Sequence, residues 1–553
     1  MTLSTLENQM LKLAFINPPH ADWIIPNVAT WLFMQSHYNS VGKFKDQVVW
    51  LSAPYKYNQY SEISELFDEI KEADVVLFSS YVWNYDICDE LAAYIKEHHP
   101  KKITILGGPH IGESDPIFLE NRKYYDYICK PTKPGETFME DFINLWFQGQ
   151  GNPNPEEISW ERRSVFGKDH PFPQVSVYEE HVEYLTTIAK HAEDNNLEKF
   201  VIMETTRGCP YQCTFCEWGG GIGTKVIKKD VDICKKDLLA LKKAGFTNAF
   251  LTDANFGMFE DRDLSIFKFA WDNGINLTDI STMKAKNLER RKRLIDACFD
   301  TIGKRSDLHS GCYPTVSIQS ASEAAMKIAK RVDLSFDEKV LLSEHIHKKC
   351  LEGFIVPPSI ELIMGMPGST IDDFYNEFEI LWNFKSWNSY RHDYMFLPDA
   401  ENSSQEFINK HQIELVEVYT DLIDEEGVDN LNSFYAKKRN YFKTIASCYS
   451  FTREQMHEMF FMNQAGNLLL KELYPGFVDL IDAPTFGKIS YEVIKDFNEF
   501  SEINLQINNI YDNTTTPASI KKINNQNRKI IIENFILDNK YAILNELLKK
   551  VLQ

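Results

Sequence analysis

The stretch "ETTRGCPYQCTFCEWGGG", Glu204 to Gly221, holds Cys209, Cys213 and Cys216 in a Cys-x3-Cys-x2-Cys pattern, in a chain with only 10 cysteines among 553 residues. Three thiolates on one short loop can reach three corners of a small inorganic cluster. Cysteine ligation is the usual way iron–sulfur clusters are held, and three thiolates leave one iron of a four-iron cluster open to a further ligand. A structural zinc site normally needs four protein ligands. The next cysteine, Cys234, falls inside a helical pattern, and no histidine lies near enough in sequence to complete such a site. A redox loop or a chance trio has the same spacing, so spacing alone leaves these readings open. The flanks add detail: Gly208 and Pro210 shape the turn, and Phe215 stands where it can shield a cluster or pack on a bound ring. Gly219 to Gly221 admit close backbone approach. Glu204 and Arg207 flank the loop, where they either position a ligand or form a salt bridge.

Such a loop needs a frame. From residue 196 to about 400 strand-like runs ("KFVIMETT", "NAFLTD", "LTDISTM", "PTVSIQSAS", "PSIELIMGMP", "YMFLP") alternate with helical patterns such as "DVDICKKDLLALKKAG" and "LERRKRLIDACFD". Six β/α units predict a partial or full barrel, whose chemistry sits at the carboxyl ends of its strands. The cysteines follow the first of these strands. Residues 1–150 form an earlier α/β series, with strands predicted in "LKLAFINPP", "DQVVWLSAP", "ADVVLFSSYVWN", "KITILGGPH" and, more weakly, "YYDYICKP". Buried strands alternating with amphipathic helices predict a doubly wound parallel sheet. Ligands of such sheets bind beyond the strands' carboxyl ends. Here those ends carry Pro18, Pro19 and His20, then Ser79 and Ser80, then Gly107, Gly108 and His110, small and polar residues suited to a large ligand. Residues 151–195, rich in proline, glycine and charge, read as a linker, and 401–553 as a mainly helical C-terminal domain.

The motif "RGCPYQCTFCEWGG" resembles the cluster motif of the radical S-adenosylmethionine (SAM) enzymes. The resemblance implies that Cys209, Cys213 and Cys216 ligate a [4Fe-4S] cluster whose fourth iron is chelated by SAM. "FLTDANFGM" is similar to that family's second-strand segment, with Asp253 and Asn255 as SAM or substrate contacts, or as turn caps. "VSIQSAS", with Gln319 and Ser320, is similar to the fourth-strand SAM segment, and "IELIMGMPGST", with Gly365, to the fifth. "FLPDAENS" resembles the turn at the sixth strand. Phe215 joins this SAM-binding set. Residues 1–150 resemble the flavodoxin-like cobalamin (B12)-binding domain of class B radical SAM methylases, in "FINPPH", "FSSYVWN", "ILGGPH" and "KPGETF". Pro18, His20, Ser79, Ser80, Gly107, Gly108 and Gly135 are then the cobalamin-binding residues. "CKPTKPGETF" departs from that family's "RGEGE" but keeps Gly135 and Glu136. No Asp-x-His-x-x-Gly motif stands in this part of the chain; the nearest string, "DLHSGC" at Asp307, lies in the barrel series.

What the resemblance implies is a methyltransferase working on an unactivated carbon through methylcobalamin and a 5′-deoxyadenosyl radical. Its cofactors are a [4Fe-4S] cluster, SAM and cobalamin. Its partners are a small-molecule or peptide substrate and an external electron donor. The rival readings are another radical reaction with the same cofactors, a radical SAM enzyme whose first domain has lost cobalamin, and a metal-stabilised binding module. A net charge of -21 argues against a duplex nucleic acid partner. No signal-peptide pattern and no long apolar run is found, which predicts a cytoplasmic protein without a membrane span. Cys88, Cys129, Cys234, Cys298, Cys312, Cys350 and Cys448 are scattered singly, as buried thiols of a reducing compartment would be.

Overall fold

The computed structural model describes residues 10–19, 24–111, 122–129, 135–150, 174–199, 201–217, 226–278, 280, 286–303, 316–352, 360–384, 390–398, 400–420, 440–497, 499–501 and 522–552. The first domain is a five-stranded parallel sheet built from β1 (Leu11–Ile16), β2 (Val48–Trp50), β3 (Val75–Ser79), β4 (Ile103–Gly107) and β5 (Tyr127–Ile128). Their order, β2-β1-β3-β4-β5, is the flavodoxin-like one. Alternation along β1 explains how both faces are covered. Leu11, Leu13 and Phe15 enter one core with the helices Ala29–Val41 and Gly135–Leu145, while Ala14 and Ile16 enter a second core with the helices Ile63–Ile70 and Tyr85–His98.

The chain predicted as a linker is partly a helix, Val182–Asp194, whose Leu185, Ile188, Ala189 and Ala192 are buried. The apolar spacing of these four residues closes a gap between two domains, which a reading for proline and charge overlooks. The preceding strap is fastened to the barrel: Ser176 Oγ and the Val177 N–H donate to Asp237 Oδ1 at 2.6 and 2.7 Å. On the other side Tyr184 donates to the Ala53 carbonyl at 2.7 Å, and His181 Nε2 lies 3.1 Å from Ser36 Oγ. One continuous apolar core therefore runs from the first sheet through this helix into the barrel.

The barrel series begins with β6 (Val201–Met203). A short antiparallel pair follows, β7 (Thr206–Arg207) with β8 (Ile227–Lys228). Then come β9 (Asn248–Leu251), β10 (Asn276–Thr278), β11 (Val316–Gln319), β12 (Ile360–Met364) and β13 (Tyr390–Asp393). The parallel strands form two three-stranded sheets, β10-β9-β6 and β11-β12-β13. The sixth parallel strand is thus Tyr390–Asp393 and not "YMFLP". Of the latter, Met395 and Phe396 form β14, which leaves the barrel and pairs antiparallel with β16 (Asn440–Ser447). That pairing starts a sheet, completed by β15 (Glu414–Thr420) and β17 (Lys522–Asn524), in the order β14-β16-β15-β17. The C-terminal part is mainly helical around it, with helices Arg453–Glu472, Ala483–Lys495 and Asn525–Leu552. Strand pairing between residues from tens to about a hundred positions apart has no local sequence signal, which is why this sheet went unforeseen.

Candidate active site

The cysteine loop departs and returns at one fixed place, because β7 and β8 pair Thr206 with Lys228 and Arg207 with Ile227. Gly208 takes a φ of 91°, a left-handed turn open to glycine, and delivers Cys209 inward. Cys209 and Cys213 are 3% and 6% exposed, and Cys216 is half-buried. The Cys216 N–H donates to the Cys213 carbonyl at 3.0 Å, making the turn between the second and third cysteine. Thr214 pins that turn from two sides. Its N–H donates to the Ala329 carbonyl at 3.0 Å, and its carbonyl accepts from the Asn402 N–H at 2.9 Å. The "FLPDAENS" turn therefore rests on the cysteine loop. Phe215 meets Tyr394 edge-on with ring centroids 6.4 Å apart. Gly219 to Gly221 lie outside the described residues.

The barrel strand ends surround this loop. Asp253, 2% exposed, accepts from the N–H groups of Thr205 and Thr206 at 2.7 and 3.0 Å, and from Thr205 Oγ1 at 2.5 Å. Burial pushes its carboxyl up to about 6 against the opposing pull of these bonds. Asp253, just after β9, thus braces the base of the cysteine loop. Asn255, 4% exposed, donates from Nδ2 to Cys209 Sγ at 3.2 Å. Gln319 holds a φ of 68° at an irregularity in the β11–β12 register. Lys339 Nζ secures that bend by donating to the Ile318 and Ser320 carbonyls at 2.8 and 3.2 Å. Gln319 and Ser320 are both buried. Gly365 has a φ of 79°, and a Cβ there would stand 2.8 Å from Ile445 Cγ2 and 3.2 Å from Met456 Cε. Side chains of the C-terminal part therefore occupy one side of this glycine.

Across from the loop lie the first sheet's strand ends. Ser79 and Ser80 are buried. Gly108 has a φ of 94°, and a Cβ would fall 2.4 Å from the Ser80 carbonyl, so its glycine is required by packing against Ser80. Asn84 was not singled out in the sequence, yet it is fully buried and knits these ends together. Its Nδ2 donates to the carbonyls of Pro18 and Ser79 at 2.9 and 3.2 Å, and its Oδ1 accepts from the Tyr81 N–H at 2.7 Å. The signal was an asparagine just before a helical run, a common capping residue. His110 is buried, stacks on Tyr85, and donates its N–H to the Ser80 carbonyl at 3.0 Å. Gly135 opens the helix Gly135–Leu145, with Met34 Cε 3.0 Å from where its Cβ would be. His20 lies outside the described residues.

The two groups of strand ends meet. Arg207 forms a two-point pair with Glu204, Nε to Oε1 at 2.8 Å and Nη2 to Oε2 at 2.7 Å, which bears out the salt-bridge reading of those residues. Its Nη1 pairs with Glu136 of the first domain. Burial opposes the Arg207 charge, but the Glu136 and Glu204 carboxylates hold its pKa above the ordinary guanidinium value. Burial also raises the Tyr81 phenol, and the charge of Glu217, directly after Cys216, adds to that rise.

The donor chemistry fits a cluster: soft thiols on a clamped turn, two of them shielded, one receiving an amide N–H as a thiolate ligand does from its surroundings. The first sheet's edge fits a large planar ligand, with serine and glycine backbone at the strand ends and no bulky cap among Ser79, Ser80 and Gly107. Among the described residues, no three His, Cys, Asp or Glu side chains converge on a single metal ion.

No family model matches the chain. Over 380 residues it is 23% identical to a cobalamin-dependent radical SAM methyltransferase, TokK, of Streptomyces tokunonensis, a match covering 66% of this chain and 54% of that one. It is 24% identical over 332 residues to a 2-(S-pantetheinyl)-carbapenam-3-carboxylate methyltransferase of Streptantibioticus cattleyicolor, covering 55% and 44% of the two chains. The chain thus spans about half the length of these curated relatives. Among solved structures it is similar to the radical SAM methyltransferase TsrM of Kitasatospora setae with cobalamin and a [4Fe-4S] cluster bound, at a TM-score of 0.56 and 13% identity, covering 83% and 95% of the chains. It is also similar to the cobalamin-dependent radical SAM enzyme OxsB with aqua-cobalamin and SAM bound, at a TM-score of 0.54 and 14% identity, covering 99% and 81%. At these identities the structural likeness is one of fold. The sequence relatives and the fold neighbours are of the class that the cysteine loop and the strand-end motifs resemble.

Proposed function

We propose that this chain is a cobalamin-dependent radical SAM methyltransferase that transfers a methyl group to an unactivated carbon of a small molecule. The observation that carries the reading is the meeting of the two strand-end groups, with Glu136 of the flavodoxin-like domain joined to Arg207 just ahead of Cys209. In this reading Cys209, Cys213 and Cys216 hold the cluster. Phe215, Asn255, Gln319, Ser320 and Gly365 line the place for SAM, with Asp253 behind them. Pro18, His20, Ser79, Ser80, Gly107, Gly108 and Gly135 form the corrin's bed. When bound, the cofactors supply one-electron cleavage of SAM and a carrier for the methyl group. The chain's own residues fix and shield. Thr214, held by Ala329 and Asn402, keeps the second and third cysteines in place. Phe215 and Tyr394 keep water from that side of the loop. Asp253 keeps the loop's base from shifting.

A small-molecule substrate is supported by the neighbours, since TsrM is also known with a tryptophan substrate bound. An external one-electron donor completes the reaction as proposed. Among the described residues no helix is long and apolar enough to cross a membrane. We place the protein in the cytoplasm, where unpaired thiols such as those of Cys88, Cys234 and Cys298 persist. A second reading keeps both cofactors but ends in a different radical product. It is supported by the fold shared over 99% of this chain with OxsB, a cobalamin-dependent SAM radical enzyme.

The test is anaerobic purification, reconstitution with iron, sulfide and hydroxocobalamin, and metal counting. The reading expects about four irons and about one cobalt per chain, with iron lost in Cys213→Ala. Four irons without cobalt overturn the methyl-carrier part, and zinc in place of iron overturns the enzyme assignment. A product heavier by one methyl group separates methyl transfer from the second reading.

A further inference from the structure

Glu136 and Arg207 come from different domains, yet their side chains are only 7% and 11% exposed and directly paired. With the two bonds to Glu204, one planar guanidinium directs three N–H donors at two carboxylates. Its flat face is also held: Arg207 Cζ lies 5.4 Å from the centre of the Phe33 ring, which belongs to the first domain's helix Ala29–Val41. Lys229 Nζ lies 5.1 Å from the same ring and 3.1 Å from Asp237, the residue that fastens the interdomain strap. A buried ion pair is weak evidence for stability, because desolvation offsets its attraction, and an apolar contact would join two domains as well. What a planar charged triad adds is a single fixed geometry. Its position is telling: Gly208 alone separates Arg207 from Cys209, and Glu136 directly follows Gly135 at the start of its helix.

We infer that the Glu136–Arg207–Glu204 triad is the link through which the first domain sets the cysteine loop, with Arg207 as its positioning residue. The link is a property of the chain itself; that it couples a corrin to an iron–sulfur cluster rests on the function proposed above. Coupling between two binding sites is reciprocal, so a ligand on the first domain's strand ends and a cluster on the loop each alter the other's environment.

Hydrogen exchange on the full chain without cofactors tests the link. Glu136→Gln keeps the side chain's shape but removes its charge. Arg207→Lys keeps the charge but cannot serve both carboxylates in one plane. Both variants are expected to speed amide exchange across residues 205–217 by about tenfold, with strands β3 and β4 unchanged. Unchanged protection of 205–217 overturns the inference, as does equal loosening of the whole chain. If the lysine variant does not fold, Glu136→Gln decides alone. In the reconstituted protein, hydroxocobalamin is expected to alter the electron paramagnetic resonance spectrum of the reduced cluster, and this response is lost in Glu136→Gln. A response that persists at full occupancy of both metals overturns the coupling. A chain that takes up neither iron nor cobalt speaks against the proposed function, while the exchange result still decides the link.

Discussion

At the scale of single residues, the hydrogen bond from Asn255 to Cys209 Sγ is the most informative contact. Donors to a ligating sulfur stabilise the more negative, reduced cluster and so raise its potential. Asn255→Ala is expected to lower the midpoint potential of the reconstituted cluster on the order of 60 mV, the one-electron equivalent of about 1.4 kcal/mol. Potentiometric titration checks this, and an unchanged potential removes Asn255 from the cluster's surroundings. The three cysteines were legible as a candidate cluster site through their flanks and the resemblance of the whole motif, where spacing alone leaves other readings open. Asp253 and Asn255 were found as a pair, but their division of labour was not. One braces Thr205 and Thr206 and the other reaches a sulfur, and that depends on where β9 ends relative to the loop. Asn84 was missed because its partners, Pro18 and Ser79, are far away in the chain or belong to another element.

At the scale of elements, what alternates locally was readable and what pairs at long range was not. The five strands of the first sheet and four of the six barrel strands fall within runs recognised by apolar content, and β10 overlaps the first two residues of its run. β13, with the sequence YRHD, has no such run; the apolar residues just after it drew the sixth strand a few positions too late. Glycine at strand ends is expected from the sequence as room for a ligand, and the structure adds a packing reason at one of them. Gly108 answers to the Ser80 backbone, because its φ of 94° and the 2.4 Å approach exclude a side chain. Gly108→Ala is therefore expected to cost at least about 2 kcal/mol through backbone strain and displacement of the turn after β3. Urea unfolding measures it, and a loss under about 0.5 kcal/mol, as at an ordinary surface site, refutes the packing account.

At the scale of the whole molecule, the C-terminal part is structural to the barrel and not an appendage. The helix Ile371–Phe384 buries Phe374, Tyr375 and Phe378, each 1–2% exposed. Phe378 lies against Gly466 and Gly487, where any Cβ would meet its ring at 2.7 and 3.0 Å, and Tyr375 donates to Glu458 at 2.7 Å. Ile445 and Met456 fill the side of Gly365, and Asn402 holds the cysteine loop through Thr214. None of this was visible in sequence, because each contact joins residues tens of positions apart. Three aromatic side chains represent gross burial on the order of 10 kcal/mol. That is as large as the net stability of a typical domain. A chain ending at residue 400 would expose much of this face and lose the Asn402 clamp. It is expected to aggregate, and whatever remains in solution to take up less than half the iron of the full chain. Size-exclusion chromatography and iron counting after identical anaerobic reconstitution decide the point. A monodisperse 1–400 chain with cooperative unfolding and full iron would show that the barrel closes its own surface, and that the C-terminal part serves the substrate side alone.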